Sequence, residues 1–209
     1  DTEAQVRDRV VQAQHVRRAQ PAPDQLKRDE QEEERDRRLD DIHRSGIVDY
    51  RVPPTNSEFS RPLAVVTGAS AGLGKVFARQ LAERGFDLLL VARDKARLIA
   101  LGDELSLQYA ISAEAWPADL SRDEGMRTLA EKISKDARVM VLVNNAGFGT
   151  KGKLANRPVS EQATMLELHV MAPFLLTRAV LPGMIERREG RIITVASVAS
   201  FTASSGSVS

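Results

Sequence analysis

The sequence predicts an α/β fold built on a doubly wound parallel sheet, and three observations carry that reading. From Leu63 onward, short apolar runs alternate with amphipathic stretches, the pattern of repeated strand, helix, strand units. The first of these runs, LAVVT, is continuously aliphatic and rich in β-branched residues, as a strand covered on both faces requires. A glycine-rich turn, TGASAGLG, follows it.

The elements follow in order. LAVVT, Leu63 to Thr67, is the first strand, and Leu73 to Arg84 is the helix after it. DLLLV, Asp87 to Val91, is the second strand. A helix over Lys95 to Tyr109 carries Leu98, Leu101 and Leu105 at three- and four-residue spacing, which puts them on one face. Glu114 to Trp116 belongs to a third strand, and Ser121 with Glu124 makes a capping box that opens a helix running to about Lys135. VMVLV, Val139 to Val143, is the fourth strand. A long helical pattern covers Glu161 to Glu186, Gly190 ends it, and RIITVAS, Arg191 to Ser197, is the fifth strand. The Ser-rich stretch TASSGSVS reads as loop.

Composition changes abruptly near Ser60. The run DQLKRDEQEEERDRRLDDIHR, Asp24 to Arg44, has 15 charged residues in 21, and its aliphatics Leu26, Leu39 and Ile42 are too few to bury a helix face. Charge pairs three or four apart add only about 0.2–0.5 kcal/mol each. The segment therefore reads as solvated helix or disorder, with a partner-binding helix as the alternative. RVPPTNSEFSRP, Arg51 to Pro62, reads as a linker because its prolines interrupt any helix or ladder. The expected organisation is a charged extension with linker over residues 1–60 and one α/β domain over 61–209.

Lys+Arg 30 against Asp+Glu 29 leaves a net charge of +1, which offers no electrostatic reason to expect nucleic acid or an anionic membrane as partner. No uninterrupted apolar run approaches the roughly 20 residues of a membrane span. The first residues, DTEAQVRDRVVQAQHVRRAQ, lack the apolar centre of a secretory signal, so a cytoplasmic location is the expectation. With Cys 0 and the three histidines His15, His43 and His169 scattered, disulfides, thiolate catalysis and a zinc site have no support, and no metal is expected.

TGASAGLG, Thr67 to Gly74, stands where a buried strand turns into a helix, and Gly68, Gly72 and Gly74 let the main chain approach another molecule closely. The free amides and positive dipole end of a helix N-terminus suit a pyrophosphate. A P-loop is disfavoured: GxxxxGK[ST] counted from Gly68 requires Gly where Leu73 stands, and the residue after Lys75 is Val76 rather than Ser or Thr. A tight turn holding no ligand is the alternative for this motif by itself.

A second motif, NNAG, Asn144 to Gly147, ends the fourth strand. TGxxxGxG and NNAG together resemble the short-chain dehydrogenase/reductase family over about Leu63 to Ser209. The resemblance implies a Rossmann-like sheet, here incomplete at its C-terminal side, and makes the α/β domain dinucleotide-binding. It implies that Thr67, Gly68, Ser70, Gly72, Leu73 and Gly74 hold the dinucleotide phosphates and that Asn144, Ala146 and Gly147 line the cofactor cleft. Asp119 and Leu120, in PADLS, match the family's position near the adenine ring; a simple loop aspartate ahead of Ser121 is the other reading of Asp119.

Charge bears on NADP against NAD. NAD sites usually carry a carboxylate at the end of the second strand for the ribose 2′-hydroxyl, and that carboxylate would repel a 2′-phosphate. This strand ends in Val91, Ala92 and Arg93, whose guanidinium could clamp a phosphate, so NADP is preferred and NAD less expected. A surface arginine paired with Asp94 or Asp87 is the alternative.

The resemblance further implies hydride transfer between NADP(H) and a small-molecule carbonyl or alcohol. Ser197 would position the substrate oxygen, Ser200 being a loop residue, while a Tyr transfers the proton and a Lys four residues later lowers its pKa. A phenol of pKa about 10 needs such a cation to work near neutrality. Tyr50 and Tyr109 are the only tyrosines, and neither begins YxxxK. The family places that motif beyond Ser209, so the chain as it stands is expected to be a truncated, inactive form. A catalytically silent dinucleotide-binding or scaffolding protein is the alternative, and a fusion of residues up to about Ser60 with a dehydrogenase fragment is a third. His169 stands where the family commonly has Asn in a water-mediated proton relay; an imidazole could serve there, or be a tolerated helix histidine. Substrate identity is left open, as is a homo-oligomer through the Glu161–Glu186 helix, which corresponds to one the family often uses for dimer contacts.

Overall fold

The computed structural model describes residues 61–151, 154–197 and 207–208. The charged extension, the linker as far as Ser60, and also Ser200 lie outside them. One sheet holds five parallel strands: β1 (Leu63–Thr67), β2 (Asp87–Ala92), β3 (Ala113–Pro117), β4 (Val139–Asn144) and, at an edge, β6 (Arg191–Thr194), in spatial order β3-β2-β1-β4-β6. Between them run α1 (Gly72–Glu83), α2 (Lys95–Tyr109), α3 (Asp123–Ser134), α4 (Val159–Leu166) and α5 (Ala172–Arg187).

Side chains alternate across a strand, and on the central strands both faces are buried. Leu63 and Val65 point into a core shared with Met126, Leu129 and Ile133 of α3 and Leu176, Val180 and Met184 of α5. Ala64 and Val66 point into the opposite core, with Ala78 and Ala82 of α1 and Leu98, Leu101 and Leu105 of α2. Two-sided burial is the physical reason the central strands β1, β2 and β4 are nearly continuous apolar runs, whereas the outer strands β3 and β6 are only partly buried and carry polar residues. A register shift where β1 meets β4 puts Val139 and Val141, two residues apart, in opposite cores.

From β1 the chain winds outward through β2 to β3, then returns to lay β4 on the other side of β1. The connections leaving β1 and β4 therefore diverge at the carboxyl ends of two adjacent strands, the switch point where open α/β sheets bind ligands.

Several local expectations are corrected. The Ser121–Glu124 capping box does not form: the Ser121 hydroxyl donates to Asp119 Oδ1 (2.7 Å), and α3 begins after Arg122 with no side-chain cap. Gly190 does not end α5. Arg188 does, in the left-handed region (φ +56°), with its amide on Ile185 O and the Glu189 amide on Met184 O. The fifth strand stops at Thr194, although the Val195 amide still reaches Asn144 O (2.9 Å). Within the Ser-rich stretch expected to be loop, β7 (Ser207–Val208) pairs antiparallel with β5 (Thr150–Lys151). The long helix is interrupted by a π turn over Glu167–Met171, where the Ala172 amide bonds back to Glu167 O.

Val159–Arg187, 29 residues, is long and apolar enough by length and composition to cross a membrane. Its inner side, Met165, Ala172, Leu176, Val180 and Met184, is buried. Its outer side exposes Val159, Leu166, Val170, Phe174 and Ile185.

Candidate functional site

Thr67 ends β1 and is 2% exposed, and its hydroxyl uses its whole hydrogen-bonding capacity. Oγ1 donates to Val143 O (3.1 Å) on β4 and accepts from the amides of Asn145 (2.9 Å) and Ala146 (3.0 Å). Asn145 closes the clasp, its Nδ2 donating to Thr67 O (3.0 Å) and Gly68 O (3.4 Å). The glycine turn and NNAG are thus one hydrogen-bonded unit across the switch point.

The three glycines have different surroundings. At Gly68 (φ +68°) a Cβ would meet Asn145 Nδ2 at 2.7 Å and Ala146 Cα at 2.9 Å. At Gly74 it would strike Gly68 O, and Asn145 Nδ2 at 2.6 Å. These two let the turn close on itself and on NNAG. Gly72 (φ +55°) has nothing within 4 Å of a Cβ position, so it faces open space.

Beside Gly72, α1 starts at an Ala71 N-cap with no side-chain cap and no acidic residue in the first turn. Its leading amides and positive dipole end lack an internal anion, so the turn can accept one. Ser70 and Leu73, half-buried, flank this point, and the Ala69 amide ties the turn to Val91 O (3.2 Å).

Asn144 is 4% exposed, and its Nδ2 bonds Thr177 Oγ1 (3.4 Å) on α5 while Oδ1 is buried without a partner. Its side chain serves the packing of β4 on α5; the neighbouring Asn145, which the motif reading passed over, shapes the cleft. Only the geometry distinguishes the two, since adjacent asparagines in a motif carry no mark of which one faces the turn. Gly147 is exposed and lies against the His169 imidazole, whose Nε2 accepts the Phe148 amide (3.0 Å).

On the other side of β1, Arg93 and Asp119 follow the paired ends of β2 and β3, where Ala92 is opposite Pro117. Neither candidate partner takes Arg93. Asp94 pairs with Arg97 (3.3 Å) and caps α2, and Asp87 pairs with Arg138 (3.3 Å) and accepts the Ser112 amide. The Ser121 hydroxyl holds the Asp119 carboxyl below its ordinary value; burial opposes this, and the Ser121 amide and the charges of Arg93 and Arg122 reinforce it. The Leu120 side chain is 4% exposed and belongs to the α3/α5 core, so only its main chain could face a ligand. Ser197 is exposed three residues past β6, at the same carboxyl end of the sheet. Among the described residues no group of three or more His, Cys, Asp or Glu could hold a metal.

Residues 62–209 match the sequence profile described as short chain dehydrogenase. An uncharacterized oxidoreductase of Bacillus subtilis (strain 168), YmfI, is 39% identical over 139 residues, 65% of this chain and 55% of that protein. A very-long-chain 3-oxoacyl-CoA reductase of Coprinopsis cinerea is 37% identical over 139 residues, 65% of this chain and 41% of that one. The chain thus spans about half the length of the curated relatives it matches. A short-chain dehydrogenase from Sphingobium yanoikuyae, solved in complex with NADPH, superposes with a TM-score of 0.66 at 35% identity, covering 68% of this chain and 55% of its own. A metagenomic short-chain oxidoreductase solved with NADP gives 0.65 at 36% identity, with 71% and 68% covered.

Proposed function

Since the chain belongs to the short-chain dehydrogenase family, we propose that it binds NADP(H) in preference to NAD(H) and serves hydride transfer between that coenzyme and a small-molecule carbonyl or alcohol. The observation that carries the reading is the uncapped N-terminus of α1, held against NNAG by the Thr67–Asn145 clasp, with Gly72 facing open space. These donors fit a dinucleotide: main-chain amides for the pyrophosphate, and no carboxylate at the end of β2 to repel a 2′-phosphate.

The bound coenzyme supplies the hydride; the chain's residues bind and orient. The α1 amides would receive the pyrophosphate, Arg93 would meet a 2′-phosphate, and Asp119, whose carboxyl Ser121 holds below its ordinary value, would serve the adenine side. Ser197 orients the substrate oxygen. Tyr109 does not supply the proton: it closes α2, which runs back to the opposite end of the sheet, and packs beside the α1/α2 core. Neighbours solved with NADPH and NADP support the coenzyme class. The apolar outer side of α4 and α5 supports self-association; sedimentation showing a monomer at every concentration would contradict that part.

Cofactor choice is tested by Arg93→Asp. The variant should weaken NADPH binding more than NADH binding, because it replaces a phosphate clamp with a repelling carboxylate. Equal losses for the two nucleotides would show that Arg93 does not read the 2′-phosphate.

A further inference from the structure

We propose that His169 is a positioning residue: its Nε2, as acceptor, holds the Phe148 amide and so fixes the Gly147–Phe148 main chain along the coenzyme cleft, and the ring is committed to this bond rather than to moving a proton. The proposal rests on the coenzyme reading above for what the cleft binds, but not for the latch itself.

Three contacts converge on one ring. The Phe148 amide donates to Nε2 at 3.0 Å. A Cβ on Gly147 would come within 3.0 Å of Nε2 and 3.3 Å of Cε1, so the main chain of Gly147 lies against the imidazole, and a side chain there would make the ring shift by a few tenths of an ångström. The Phe148 ring meets the imidazole edge to face, with centroids 6.0 Å apart and planes at 82°. Histidine and glycine are therefore complementary across the gap between the helix and the end of NNAG. The π turn over Glu167–Met171 sets the helix side of this contact, since the extra residue in the turn changes where His169 projects relative to an uninterrupted helix.

The bond fixes the chemistry of the ring. An imidazole nitrogen that accepts a hydrogen bond carries no proton, so the neutral ring holds its proton on Nδ1. A relay that hands a proton to Nε2 would set two donors face to face and release the Phe148 amide. The latch and a proton shuttle through Nε2 exclude each other.

The test uses the full chain with its histidines labelled with 15N, followed by NMR, amide hydrogen exchange and NADPH titration. The His169 ring of the wild type should show the tautomer protonated on Nδ1, and the Phe148 amide should be protected. His169→Leu removes the acceptor and should speed exchange at Phe148 by about tenfold, with a similar loss of NADPH affinity, the fold-change of one hydrogen bond. His169→Gln can present its amide oxygen at a reach similar to Nε2 and should restore both to within about threefold, a rescue not expected if the ring merely filled space. An Nε2-protonated ring in the wild type, or a Leu variant with unchanged Phe148 exchange and NADPH affinity, overturns the proposal. Should the Leu variant fail to fold, the wild-type ring spectrum and the Gln variant still decide. A wild type that binds no NADPH yet shows the Nδ1 tautomer and a protected Phe148 refutes the coenzyme reading and leaves the latch standing.

Discussion

Replacing Thr67 with Val tests whether the clasp organises the site. The side chains are nearly isosteric, so the buried volume at this 2%-exposed position is kept and only the hydroxyl is lost. That hydroxyl accepts from the amides of Asn145 and Ala146 and donates to Val143 O. A buried donor left unpaired costs about 1–3 kcal/mol. Both amides belong to half-buried residues where water can partly replace the lost acceptor, so the lower half of that range applies and the expected loss is about 2–4 kcal/mol. With a urea slope of about 2 kcal/mol/M, the unfolding midpoint should fall by about 1–2 M. Thr67→Ser is the control: it keeps the oxygen, removes one methyl group, and should cost about 1 kcal/mol. If Val proved as stable as Ser or more so, the hydroxyl would not be what joins the glycine turn to NNAG.

Two further outcomes follow from the same geometry. Gly72→Ala and Gly74→Ala should separate stability from binding. Ala at position 74 collides with Gly68 O and Asn145 Nδ2 and should cost at least about 2 kcal/mol of stability; Ala at position 72 meets nothing, costs about 1 kcal/mol for its left-handed backbone, and should show its larger effect on NADPH affinity. A reversed order in the melts would contradict the assignment of Gly74 to packing. For Asp119, a carboxyl held below its ordinary value contributes stability that is complete above the unfolded-state pKa of about 4 and is lost as pH falls through the lower folded-state value. Asp119→Asn should therefore be less stable than wild type at neutral pH, with the gap narrowing as pH drops below about 4; a gap independent of pH would refute it.

Elements whose signal is local were legible in the residues themselves. LAVVT and the helix over Lys95 to Tyr109 lie where their composition and spacing put them, because burial on both faces and a leucine stripe are written in consecutive residues. The misread features are competitions between neighbours. Ser121 has two carboxylates within reach of its main-chain amide, and Asp119 Oδ1 accepts both that amide (3.0 Å) and the hydroxyl, leaving none of the capping-box bond for Glu124. Gly190 followed α5, but Arg188 adopted the left-handed cap and the glycine instead lies against Met184. Within the site, the glycine turn and NNAG were readable as motifs, yet the division of labour between Asn144 and Asn145 depends on which side chain β4 turns toward Thr67, and the π turn that carries His169 has no residue signature. The β5–β7 pair joins segments more than fifty residues apart, too distant for any local pattern to announce.

The central claim is that the leading amides of α1 hold the pyrophosphate of a nicotinamide dinucleotide. Isothermal titration of the full chain with NADPH, repeated while amide exchange is followed at Gly72, Leu73 and Gly74, measures it most directly. Saturable one-site heat accompanied by protection at those amides is the predicted result. Absence of saturable heat from well-folded protein, or binding that leaves the three amides exchanging as before, would contradict it.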